Sequence, residues 1–88
     1  MTTVFLASFL ADIKKLRDGK VRGAIKRAIL NVEEADNLDQ INALKRLSGH
    51  QQYFRIRILD YRIGIRIEDD TVTFVRCLHR REVYRYFP

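Results

Sequence analysis

A single cysteine, Cys77, among 88 residues leaves no partner for an internal disulfide. Covalent cross-links therefore add nothing to stability, and a reducing compartment is the natural setting. Long hydrophobic runs are also missing. The longest apolar stretch, Val4 to Ala11, is broken by Ser8, far short of the roughly 20 apolar residues that a membrane-spanning helix needs. No basic segment precedes it, so it does not read as a signal peptide. The expectation is a cytoplasmic protein with no membrane association. His50, His79 and Cys77 lack zinc-site spacing, and the chain holds neither a glycine-rich phosphate loop nor a nucleophile elbow. No cofactor or metal is expected. A chain of this length holds one modest core, with no room for a cofactor domain beside a substrate domain.

Lysine is absent after residue 45. All five lysines precede residue 46, whereas eight arginines and no lysine lie between Gln51 and Pro88. The formal net charge is +6, which favours a polyanionic partner: nucleic acid, an acidic protein or a membrane surface. Arginine presents a planar fork of donors that matches phosphate and stays charged when half-buried.

The pattern of elements predicts an α+β fold. Thr2 to Ala7 reads as a strand. Ser8 is a candidate N-cap, followed by Phe9, Leu10, Ile13 and Leu16 at helical spacing, with Asp12 near the N-terminal end and Gly19 as the stop. A second helix over residues 20–34 places Val21, Ile25, Ala28, Ile29 and Val32 on one face. Its charges oppose the helix dipole, with Lys20 and Arg22 at the start and Glu33 and Glu34 at the end. Ala43 to Leu47 is a short apolar-basic segment, turned by Ser48-Gly49. Three strands then follow: Tyr53 to Leu59, Tyr61 to Glu68 and Thr71 to Leu78. The sum is a β-α-α-β-β-β order, a small four-stranded antiparallel-rich sheet with two helices packed on one face.

The hairpin carries the first functional signal. A tight turn at Leu59-Asp60 pairs Ile58 with Tyr61 and so sets Arg57 opposite Arg62, Arg55 opposite Gly64 and Tyr53 opposite Arg66. Like charges directly opposite destabilise a sheet. An anion bound on that face would relieve the repulsion. The plain alternative is an arginine-rich outer face screened by Asp60, Asp69 and Asp70. Just after the last strand come His79, Arg80, Arg81 and Tyr84. Cleavage of an RNA phosphodiester needs a base for the 2′-hydroxyl, an acid for the leaving 5′-oxygen and cations for the developing charge. Arg, His and Tyr can supply these. Plain readings remain open: His79 as a strand-end surface residue, Tyr84 as an aromatic anchor, and Cys77 as a small core residue.

The runs Tyr53-Phe-Arg-Ile-Arg-Ile-Leu-Asp-Tyr-Arg-Ile and His79-Arg-Arg-Glu-Val-Tyr-Arg, with the opening Ser8-Phe-Leu-Ala-Asp-Ile-Lys-Lys-Leu, resemble the RelE/ParE superfamily of toxins from toxin–antitoxin pairs. The resemblance covers essentially the whole chain and implies one toxin domain over residues 1–88. It implies the same β-α-α-β-β-β fold, here without the C-terminal helix that many members carry. The RelE branch cleaves mRNA in the ribosomal A site; the ParE branch poisons DNA gyrase and lacks the catalytic set. The favoured expectation is a RelE-like, metal-independent endoribonuclease (an mRNA interferase) that inhibits translation. The alternatives are a gyrase inhibitor and a non-catalytic RNA-binding module.

Carried over by position, the resemblance implies that Arg55, Arg57, Arg62, Arg80 and Tyr84 form the catalytic set. Arg66, Arg81, His79 and Tyr53 join Arg55 and Arg57 in RNA binding. Arg55 and Arg57 stand where the RelE prototype has lysines, and arginine is a poor proton carrier. Proton transfer then falls to Tyr84 or His79. The expected partners are a cognate antitoxin, in a toxin–antitoxin hetero-oligomer, and the ribosome with its mRNA. The antitoxin is expected to bring an acidic or amphipathic segment to the basic face.

Overall fold

Apolar and polar residues alternate along much of the second half of the chain, and this pattern builds a sheet with one face for the core and one for solvent. A computed structural model describes all 88 residues. The chain runs β1 (Thr2–Phe5), α1 (Ala7–Lys15), α2 (Gly19–Glu34), a 3₁₀ turn (Leu38–Gln40), β2 (Leu44–Arg46), β3 (Tyr53–Ile58), β4 (Tyr61–Glu68), β5 (Thr71–His79) and α3 (Val83–Tyr86). The strands lie in the order β1-β5-β4-β3-β2, with β1 parallel to β5 and the other neighbours antiparallel. No helix is long and apolar enough to cross a membrane.

The α+β layering follows the sequence expectation, but the element count does not. The sheet has five strands rather than four, because residues 44–46 pair with β3, Leu44 opposite Ile56 and Arg46 opposite Phe54. A three-residue strand carries too little alternation to announce itself. The chain also closes with α3, a single helical turn, where no C-terminal helix was expected.

Phe9 of α1 and Val21, Ile25 and Val32 of α2 pack on Phe54, Ile56, Ile63, Ile65, Val72 and Phe74 of the sheet, all buried. The ring of Phe74 stacks on Phe5 at 5.0 Å and tilts against Phe9 at 5.3 Å. Three local details differ from the sequence reading. Ser8 lies inside α1 rather than capping it; its hydroxyl donates to the Val75 carbonyl at 2.6 Å. Val75 is the residue bulged out of register between the pairs Gly64–Arg76 and Ile65–Phe74. Gly19 opens α2 rather than ending α1, and Asp18 is the cap, its carboxylate accepting from the amides of Lys20 and Val21. Asp12 is not a dipole charge at the surface. It is buried, and it accepts from Arg76 Nε at 2.8 Å, Arg76 Nη2 at 3.1 Å and the Cys77 amide at 2.9 Å.

The adverse charges at the start of α2 have a local reason. Arg22 Nη1 donates to the carbonyls of Ile13 and Leu16, at 2.8 and 3.0 Å. It thereby satisfies the C-terminal end of α1, whose last carbonyls have no helical partner.

Candidate functional site

The β3–β4 hairpin has the register that its alternation demands. Ile58 pairs with Tyr61, Arg57 with Arg62, Arg55 with Gly64 and Tyr53 with Arg66. The two-residue turn forces Leu59 to φ +53°, the left-handed region that costs a non-glycine residue energy. Arg62 offsets part of this cost, since its Nη1 donates to the carbonyls of Leu59 and Tyr61 at 2.9 and 2.8 Å. The same turn fastens the chain after β5. The Arg80 amide donates to the Asp60 carbonyl at 2.7 Å, and Arg80 Nε lies 3.6 Å from Asp60 Oδ1. Arg80 and Arg81 are thereby brought to the outer face beside Arg57 and Arg62.

The C-terminal segment completes that face. Val83 is fully buried and Phe87 is 2 % exposed. Phe87 rests on Gly64, where its ring fills the space a side chain would take. Tyr84, between these two anchors, is 60 % exposed. Val83 and Phe87, not Tyr84, therefore hold α3 to the sheet, which removes the reading of Tyr84 as an aromatic anchor.

Arg55, Arg57, Arg62, Arg80, Arg81 and Tyr84 line one open depression of about 410 Å³. Burial lowers the Arg62 guanidinium below its ordinary pKa, and the charge of Arg55 lowers it further; the Tyr84 phenol opposes this, while Arg57 and Arg80 add to it. Arg55 donates from Nη1 to the Ala43 carbonyl at 3.0 Å, while its buried Nε has no acceptor. Asp60 partly balances Arg80, but Asp69 and Asp70 form no ion pair with this cluster. Chemically, the depression is a concentrated array of fixed cations around one phenol, suited to a phosphate group.

Three residues singled out from the sequence fall outside it. Arg66 pairs with Glu68 at 3.7 Å. Tyr53 lies edge-on to Phe87 at 5.6 Å and to His50 at 5.7 Å. His79 pairs with Tyr61, an inward-facing residue, and so lines a different cavity of about 540 Å³ with Asp12, Tyr61, Arg76 and Cys77. Its Nδ1 accepts from the Arg81 amide at 3.2 Å.

The structure adds residues that the sequence reading missed. Lys45 stands directly opposite Arg55 across β2 and β3. With Arg46, Ser48, His50 and Phe87 it lines a groove of about 370 Å³ that shares Arg55 and Tyr84 with the arginine depression. The available signal was the Ser48-Gly49 turn immediately before the arginine-rich strand, for Gly49 adopts φ +78° and turns the chain back over β3.

The fold and the arginine-lined face define a small α+β domain with a surface suited to anions, and comparison with known proteins makes its class specific. The family model described as ParE toxin of type II toxin-antitoxin system, parDE, matches residues 4–84. Toxin RelE3 of Methanocaldococcus jannaschii is 40% identical over 92 residues, covering 100% of both chains. The crystal structure of a RelB-RelE antitoxin-toxin complex from Methanococcus jannaschii contains a chain that superposes with a TM-score of 0.80 at 36% identity, covering 97% of this chain and 99% of that one. The fold is also shared with the E. coli RelBE toxin-antitoxin complex, at a TM-score of 0.70 and 20% identity over 89% of this chain and 94% of that one. The chain belongs to the RelE/ParE superfamily of toxins, on its RelE branch.

Proposed function

We propose that this toxin is a ribosome-dependent endoribonuclease that cuts mRNA and so arrests translation. The observation that carries the reading is the single depression lined by Arg55, Arg57, Arg62, Arg80, Arg81 and Tyr84. A scissile phosphate seated there neutralises the Arg57–Arg62 repulsion. As the 2′-hydroxyl attacks phosphorus, charge grows on the equatorial oxygens, and the guanidinium groups stabilise it. Tyr84 is exposed among them, and in this reading it takes part in proton transfer.

A cognate antitoxin is the second part of the reading, supported by the toxin-antitoxin complexes among the similar structures. An acidic segment suits the basic face. The exposed Leu10 and Leu30, with Phe5, line a groove of about 600 Å³ between α1 and α2 and suit an amphipathic one.

The match to a ParE family model keeps one alternative, inhibition of DNA gyrase. Expression in cells followed by primer extension on an abundant transcript separates the two. New 5′ ends within codons support the endoribonuclease. Growth arrest with a DNA-damage response and no new ends supports the gyrase reading. Co-purification with the neighbouring gene product tests the antitoxin.

A further inference from the structure

The arginine depression contains only one side chain, Tyr84, that is suited to moving a proton, and cleavage moves two: one off the 2′-hydroxyl and one onto the 5′-oxygen. His79, the imidazole the sequence suggests, lines the cavity on the helix side of the sheet. The other imidazole, His50, is on the correct side. It lines the groove that adjoins the depression and shares Arg55 and Tyr84 with it.

The placement of His50 is built by its surroundings. The left-handed Gly49 and the hydrogen bond from the His50 amide to the Leu47 carbonyl, at 3.2 Å, turn the loop back toward β3. The ring meets the edge of Tyr53, which meets the edge of Phe87, which is seated on Gly64. A row of aromatic contacts thus ties the loop bearing His50 to the segment bearing Tyr84. The groove itself has Lys45 on its β2 side, whereas the guanidinium of Arg46 turns to the other face and lies 5.0 Å over the Phe54 ring. A polynucleotide whose scissile phosphate sits among the arginines extends one flanking nucleotide into this groove, with its next phosphate toward Lys45.

We infer that His50 is a catalytic residue, the base that removes the 2′-hydroxyl proton from the nucleotide lying in this groove; the inference rests on the endoribonuclease reading. In the step, the 2′-oxygen bonds to phosphorus as its proton passes to the His50 imidazole. The phosphorus–O5′ bond breaks, and the 5′-oxygen takes the proton of the Tyr84 phenol. The products are a 2′,3′-cyclic phosphate and a 5′-hydroxyl, leaving an imidazolium and a phenolate that return to their starting forms by exchange with solvent. The phenolate is left beside Arg62 and Arg80, and the imidazolium meets the edge of Tyr53 and shares its groove with Arg55 of β3, Lys45 of β2 and Tyr84 of α3. An imidazole suits the role because it accepts a proton near neutral pH, which no arginine in the depression does.

The test is single-turnover cleavage of a 5′-labelled mRNA on programmed ribosomes, from pH 5.5 to 8.5, by the full chain, H50Q and H50A. His50 is exposed, so both variants should melt as the wild type does. H50Q should bind the same complexes within about threefold yet cut about 10²-fold or more slowly, with the acidic limb of the pH profile gone. Added imidazole should restore part of the H50A rate. H50Q cutting within threefold of the wild type on an unchanged profile overturns the assignment of His50 alone. A wild-type chain that cuts no RNA on any ribosome complex overturns the endoribonuclease reading and His50 with it.

Discussion

The ring of Phe87 occupies the space above Gly64: a Cβ on Gly64 would stand 2.6 Å from Phe87 Cγ, closer than real contacts allow. The glycine is chosen here for the approach of a ring, not for a turn. Gly64→Ala should therefore lift the C-terminal segment or strain the central strand, costing about 1–3 kcal/mol. The expected melting temperature falls by roughly 5 °C or more, and cleavage falls with it, because Tyr84 shares the displaced turn. Phe87→Ala should also destabilise the protein, but Gly64→Ala should then cost little more in its presence. Thermal melts of the two single variants and the double variant check this; additive losses would dissociate the two residues.

Asp12 and Arg76 join α1 to β5 across 64 positions of sequence. The carboxylate is 6% exposed and the guanidinium 27%. The hydrogen bond that Arg76 donates to Asp12 is the main reason that the Arg76 pKa is raised; burial opposes it. Arg76 also lies over the Tyr86 ring at 5.8 Å, so the pair supports α3 from beneath. Asp12→Ala leaves a partly buried cation and the Cys77 amide without their acceptor, at a cost of about 3 kcal/mol. Urea unfolding of D12A, R76A and the double variant measures it, and the double variant should be less destabilised than the two losses summed.

The hairpin register was legible because strict alternation on both strands and a two-residue gap permit one pairing that keeps every isoleucine inward. From that register the facing arginines followed. What was not legible depends on distant partners. Asp12 looks like an ordinary helix charge until Arg76 is brought beneath it. His79 looked like a site residue because it precedes Arg80, yet its pairing with inward-facing Tyr61 sends it to the helix side. His50 drew no reading from the sequence beyond its lack of zinc-site spacing, because the groove it lines is closed by Phe87, 37 residues away by number. Phe87 itself showed no sign of its role, since only the sheet supplies Gly64 as its seat.

The direct opposition of Arg57 and Arg62 makes the depression less stable when empty than when filled. Arg57 is exposed and makes no side-chain hydrogen bond or ion pair, so its replacement removes charge and little else. Arg57→Gln should raise the melting temperature at low salt slightly, by a gain of about 0.2–1 kcal/mol. The gain should fade at about 1 M salt, where screening removes the repulsion. The same variant should bind a short RNA oligonucleotide more weakly. Calorimetric melts at two salt concentrations, with and without RNA, read both signs. A variant that melts lower at low salt and binds equally well would exclude Arg57 from the anion site.

Burial pushes the Cys77 thiol up to about 12, with the nearby Asp12 charge adding to the effect. The raised value fixes the sign. Folding favours the protonated thiol, so its contribution is whole below the ordinary value of 9.0 and is lost as pH climbs from there toward 12. A thiol held protonated and buried is also a poor nucleophile. Iodoacetamide at pH 8 should leave native Cys77 unmodified and alkylate it readily in urea. Rapid alkylation of the folded protein, followed by mass spectrometry, would contradict this placement.

Tyr84 is 60% exposed, while its neighbours Val83 and Phe87 hold the segment in place. Packing and chemistry are therefore separable at this residue. Removing an exposed ring leaves no cavity, so Tyr84→Ala should melt within about 2 °C of the wild type. Tyr84→Phe keeps the ring and loses only the hydroxyl that would pass a proton to the 5′-oxygen. Its cleavage rate should fall by about 10²-fold or more with ribosome binding retained. Arg80→Ala gives the companion measurement. It removes a cation that should stabilise the phosphorane, a loss of about 10²–10³-fold, while the rest of the depression stays in place. Single-turnover assays on programmed ribosomes, set beside thermal melts, distinguish the roles. Full activity in Tyr84→Phe would place the proton donor elsewhere on the face. Loss of melting temperature in Tyr84→Ala would return the residue to the role of anchor.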